Sequence, residues 1–152
     1  MLVYRIAGTK YAHDLSGSGA RMYGGRWNHK GVGVVYTSES RSLATVEFLV
    51  HASIPDMPSN LSIASIEIPE RIRPKNVLLS MLPAGWRDYP APSELADIGT
   101  LWVLSNESLM LRVPSSVVEH ESNILINPLH RDAKYIRIIN VEAYRLDKRL
   151  VR

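Results

Sequence analysis

Six short apolar runs, each closed by glycine, proline or a polar cluster, set the tightest limit on what this chain can fold into. MLVYRI alternates as a half-buried strand does. GVVYT is β-branched and aromatic between a glycine-rich stretch and a serine cluster. LSIASIEI is closed by Pro69, and LMLRV stops at Pro114. NILIN and YIRIINVEAYRL complete the series. Runs of this length are predicted to be strands.

Two stretches read differently. Residues 40–52, SRSLATVEFLVHA, contain no Gly or Pro and open on Ser40, whose hydroxyl can cap a helix. Residues 92–105, PSELADIGTLWVLS, predict a second helix, weakened at Gly99. Many short strands with few helices and no regular βαβ alternation predict a mixed α/β (α+β) domain built on a sheet of short strands. No repeat or long linker divides the chain, and 152 residues suit one domain, 1–152, with a core of its own.

Composition removes several function classes. Hydrophobic residues make up 45% and charged residues 22%, which is ordinary for a globular protein and argues against disorder. No apolar run approaches the roughly 20 residues of a membrane crossing. The opening MLVYRIAGTK is too short and polar-broken for a signal peptide, so a cytoplasmic location is expected. The chain has no cysteine, which excludes disulfides, a thiolate zinc site and a cysteine nucleophile. The histidines His13, His29, His51, His120 and His130 are scattered without a ligand motif, so no metal is expected.

The net charge of +3 is uneven. From His130 onward, seven Lys and Arg residues face three acids, leaving −1 for the first 129 residues. Such a basic stretch can dock nucleic acid or an acidic partner. A solvated last strand is the plainer expectation, since neither interleaved aromatics nor a recognition helix accompanies it.

The run DLSGSGARMYGGRWNHKG leads into GVVYT and is predicted to be a long loop. Loops of that length tend to be functional. Glycines let backbone N–H groups approach a ligand, and Arg26 offers a planar donor fork suited to phosphate oxygens. Trp27 beside it is expected to anchor the loop in the core. Neither a dinucleotide fingerprint nor a GxxxxGK[ST] motif is present.

Glu47 stands out. At about 100° per residue it falls within about 60° of Leu43 and Val50, on a helix expected to be buried on most sides. A carboxylate there is costly unless it lines a cleft or forms an ion pair, for which Arg5 and Arg26 are the candidates.

Arg26, Tyr36 in VVYTS, Glu47 in SLATVEFLVH, VPSSVV at 113–118 and ESNILINPLH at 121–130 occur in an order that strongly resembles the RES domain family, named for its arginine, glutamate and serine. The resemblance runs from YRIAG through GGRWN and IGTLWVLS to VEAYRLDKRL. It implies an ADP-ribosyltransferase-like fold and a toxin of a toxin–antitoxin pair that depletes NAD⁺. It also implies a cognate antitoxin whose helix-turn-helix domain makes the DNA contact and whose C-terminal segment blocks the pocket. A homodimer within that complex is compatible with it.

By position, the resemblance makes Arg26, Tyr36 and Glu47 the catalytic set, with Arg5 a second pocket arginine. Ser115 aligns best as the family serine, with Ser116 and Ser122 as alternatives. Asn123 also matches the pattern. NAD⁺ would be the substrate, and no separate cofactor is implied.

The residue types suit that chemistry. Glycoside hydrolysis ordinarily needs two carboxylates, one of them to protonate the leaving group. Nicotinamide departs from NAD⁺ as a neutral molecule, so one acid suffices. Attack by water would make the protein a glycohydrolase, attack by phosphate a phosphorylase, and attack by a protein side chain an ADP-ribosyltransferase. The rival from another class is a non-catalytic binding module with a basic C-terminal face.

Overall fold

The computed structural model describes residues 1–151. Its centre is one seven-stranded sheet in the order β4-β5-β6-β2-β1-β3-β7. The strands are β1 (Leu2–Gly8), β2 (Val35–Ser38), β3 (Leu61–Glu67), β4 (Lys75–Asn76), β5 (Met110–Pro114), β6 (Ser122–Ile126) and β7 (Arg137–Tyr144). Neighbours are antiparallel except β4 and β5, which run parallel. The expected mixed α/β architecture is therefore the observed one. All six apolar runs supply strands, and β4, with only two residues and no apolar signature, is the strand the sequence did not announce.

Alternation of side chains across the sheet builds two cores. Val35, Ile124 and Ile126 point to one face with Val3, Ile66 and Met110. Leu125, Leu111 and Val113 point to the other, where they meet Trp27, Leu95, Trp102 and Val103. Burial on both faces explains why β6 reads as a continuous apolar run instead of an alternating one.

Helix α2 (Arg41–His51) starts where Ser40 predicts: the Ser40 hydroxyl accepts the Leu43 N–H at 3.0 Å. Its burial differs from expectation. Only Leu43 and Ala44 are buried, and Val50 is 55% exposed. The helix packs on β1 and β2 along one side, leaving the other to solvent.

Helix α3 (Ser93–Ser105) ends at Asn106, which adopts a left-handed conformation with φ 54°. Gly99 does not weaken it in the way expected. A Cβ there would lie 1.7 Å from the Trp27 carbonyl oxygen, so glycine lets helix and loop touch. Trp27, 3% exposed, is the loop's anchor in the second core.

The loop itself is more structured than predicted. It contains α1 (Ser18–Tyr23) and an isolated bridge between Gly25 and Asn28. Asn28 is buried, and its amide donates to the carbonyls of Ala20, His29 and Val32, which ties the loop to itself.

The C-terminal basic residues lie on the solvated edge strand β7 and its flanks. Arg137 pairs with Glu67 and Arg149 with Asp147. Arg152 lies outside the described residues. Among the described residues no helix is long and apolar enough to cross a membrane.

Candidate active site

A cavity of about 310 Å³ opens between α2, the start of the loop and strands β1 and β2. Its lining includes Arg5, Asp14, Tyr36, Ser38, Glu47 and Asn123. The volume falls at the lower end of the ~300–1,000 Å³ typical of small-molecule sites.

Glu47 is carried into the cavity by α2, with its side chain 17% exposed. One carboxylate oxygen, Oε1, accepts from Ser115 Oγ at 2.7 Å and from Asn123 Nδ2 at 2.8 Å. Ser115 is itself held: its Oγ accepts the N–H groups of Val117 and Val118 at 3.1 and 3.0 Å. The other oxygen, Oε2, accepts no hydrogen bond among the described residues, and His51 Nε2 lies 3.9 Å from it. Glu47 thus presents one fixed oxygen and one open one.

Of the three serines compatible with the pattern, Ser115 is the one bonded to Glu47. Neither candidate arginine forms a direct ion pair with Glu47 among the described residues. Arg5 lines the cavity, donating from Nη1 to the Tyr11 carbonyl at 3.0 Å. Burial lowers its pKa, and the charge of Asp14 partly offsets this. A desolvated guanidinium with donors to spare is suited to an anionic ligand.

Arg26 is placed differently. It is not among the cavity-lining residues, and its fork donates to the carbonyls of Trp86 and Asp88 at 2.8 and 3.2 Å. Burial lowers its pKa, while the charge of Glu47 acts in the opposite direction. Arg26 therefore lies within electrostatic reach of the carboxylate and also pins the 86–88 segment to the loop.

The Tyr36 ring faces the cavity with its hydroxyl already engaged. It donates to Asn28 Oδ1 at 2.6 Å and accepts the Trp27 N–H at 3.1 Å. Desolvation by burial pushes the phenol well above its ordinary value. Gly25 packs closely here, since a Cβ at that position would sit 2.7 Å from the Tyr36 hydroxyl.

Sequence reading missed Asp14, Ser38 and Asn28. Asp14 accepts from Ser16 N–H at 2.8 Å and from Ser18 Oγ at 3.2 Å, bonds that hold its carboxyl below the usual range, those from Ser16 first. The Asp followed by Ser two and four residues later was the available signal. Ser38 left none, because its partner Asn123 lies 85 residues away; the partners of Asn28 all lie within the loop and β2, but no motif there marks them. Among the described residues no group of three or more His, Cys, Asp or Glu is placed to hold a metal ion.

A mixed sheet thus brings the half-buried Glu47 carboxylate, Asp14, a desolvated arginine and an aromatic around one cavity. The chain matches the RES domain over residues 2–148 and belongs to that family. It is 40% identical over 148 residues to the Prs ADP-ribosylating toxin of Sphingobium sp. (strain YBL2), covering 96% of this chain and 92% of that one. It is 43% identical over 135 residues to Toxin Res of Yersinia enterocolitica, covering 86% of each. The toxin–antitoxin complex MbcT–MbcA of M. tuberculosis supplies a similar crystal structure. It aligns with a TM-score of 0.78 at 16% identity over 94% of this chain and 83% of that chain, a likeness of fold.

Proposed function

We propose that this protein is the toxin of a toxin–antitoxin pair and consumes NAD⁺ by cleaving the bond between nicotinamide and ribose. The observation that carries this reading is the state of Glu47: one oxygen is fixed by Ser115 and Asn123, the other opens into a cavity shared with Arg5 and Tyr36.

As nicotinamide leaves, positive charge develops on the ribose. A carboxylate already held in place stabilises that charge without reorganising. The departing pyridine needs no proton, so no second acid is required. Tyr36, rigid because its hydroxyl is anchored at Asn28 and Trp27, offers a face on which nicotinamide can stack. Arg5 holds the pyrophosphate through its remaining donors, and Arg26 adds positive charge from outside the cavity lining. Water attack on the ribose completes hydrolysis, and phosphate attack would complete phosphorolysis.

A second reading, transfer of ADP-ribose to a protein, is favoured by the name of the Sphingobium relative, an ADP-ribosylating toxin. Purified protein incubated with NAD⁺ and resolved by mass separates these. Free nicotinamide with ADP-ribose indicates hydrolysis, a phosphorylated ADP-ribose indicates phosphorolysis, and a mass increment on an added protein indicates transfer. No nicotinamide release under any of these conditions overturns the proposal. A cognate antitoxin completes the pair, and its binding should suppress nicotinamide release.

A further inference from the structure

We infer that Ser38 is a positioning residue for Glu47, acting through Asn123. The inference rests on the NAD⁺ reading for its kinetic test but stands on geometry that does not. In the β2–β6 ladder Ser38 lies directly opposite Asn123. Its Oγ donates to Asn123 Oδ1 at 2.7 Å, and Asn123 Nδ2 donates to Glu47 Oε1 at 2.8 Å.

An amide has one accepting end and one donating end. A hydroxyl that donates to the first turns the second toward Glu47. With the amide reversed, Oδ1 would face Oε1 lone pair to lone pair, and the carboxylate would lose that partner. Ser115 would then hold Oε1 alone, and Glu47 could rotate its open oxygen away from the cavity.

The neighbouring residue supplies a contrast. Thr37 is also a buried hydroxyl on β2, and its Oγ1 donates to the Ile124 carbonyl at 2.6 Å, a bond that serves only the sheet. Ser38, 4% exposed, sends its proton to a side chain that touches the candidate acid. Burying a hydroxyl costs stability unless it is bonded, and an alanine would fill this strand position without that requirement.

The test is a double-mutant cycle on the purified full chain, with NAD⁺ turnover and thermal midpoint measured for each variant. Ser38→Ala is expected to lower kcat about tenfold or more with KM within about twofold, because a misplaced group costs the chemical step more than binding. Ser38→Thr, which keeps the hydroxyl, should recover most of that loss. Asn123→Ala should lose at least as much as Ser38→Ala, and the double variant should be no slower than Asn123→Ala alone.

Multiplying losses, no recovery with Thr, or unchanged kcat in Ser38→Ala each overturn the inference. If wild-type protein leaves NAD⁺ intact, the proposed function fails, and crystal structures judge this inference instead. Displacement of the Glu47 carboxylate in Ser38→Ala relative to wild type supports it, and an unmoved carboxylate overturns it.

Discussion

Gly99 on α3 lies against the backbone of Trp27, so close that a Cβ on the glycine would sit 1.7 Å from the tryptophan carbonyl oxygen. The contact seats the GGRWN loop on the helix, reinforced by the His29 N–H donating to Thr100 Oγ1 at 3.0 Å. Gly99→Ala is therefore expected to push loop and helix apart and cost about 1–3 kcal/mol or more by overpacking. Helix propensity alone would make the same change stabilising by about 1 kcal/mol. Urea denaturation decides between the two, and a variant more stable than wild type would remove the contact from the account.

Glu47→Gln keeps the shape of the side chain and removes its charge. Turnover of NAD⁺ should fall at least about a hundredfold, the scale of losing one stabilising group aimed at developing charge. Expression of the wild-type chain without an antitoxin should arrest growth of a host cell, and the Gln variant should relieve the arrest. Growth arrest by the inactive variant would mean that toxicity comes from something other than this carboxylate.

Arg5→Ala should act mainly on binding. Loss of a charged donor from a desolvated position is worth about 1.5–3 kcal/mol. KM for NAD⁺ is accordingly expected to rise roughly tenfold or more, with a smaller change in kcat, as read by steady-state kinetics. An unchanged KM would mean that the phosphates are held elsewhere, with Arg26 the next candidate.

Tyr36→Phe strands two partners, the Trp27 N–H and Asn28 Oδ1, and should cost about 1–3 kcal/mol of stability. Burial raises the folded-state pKa of Tyr36 above its ordinary value of 10.0, so the unfolded chain loses this proton first as pH rises. The contribution is fully present below pH 10.0 and declines above it. Urea midpoints of wild type and Tyr36→Phe should therefore converge as pH rises past that value. Curves that stay parallel would show that the phenol does not govern alkaline stability.

Much of the fold was legible in the residue order because its determinants are local. Pro69 and Pro114 end apolar runs by removing a donor and restricting the backbone, and Ser40 caps α2 with a hydroxyl three residues from its partner. The mixed α/β class follows from strand and helix signals of this kind. The extent of α2's burial was misjudged from its pattern, because periodicity shows which residues share a face and not how many faces are covered.

The candidate site was legible as a set of residue types and illegible as an arrangement. Glu47 could be singled out as a charge in apolar surroundings, and the family pattern grouped it with Arg5, Arg26, Tyr36 and Ser115. Which serine meets Glu47 was decided by the turn at Val117 and Val118, whose N–H groups hold Ser115 Oγ. That Arg5 lines the cavity while Arg26 braces the carbonyls of Trp86 and Asp88 depends on how distant segments pack. The sequence by itself determined the strands, the capped helix and the chemical repertoire, through forces acting over a few residues. Tertiary structure alone decided which oxygen of Glu47 is fixed and which is open, because Ser115 and Asn123 reach it from 68 and 76 residues away. Only closure of the sheet brings those donors within hydrogen-bonding distance of the helix.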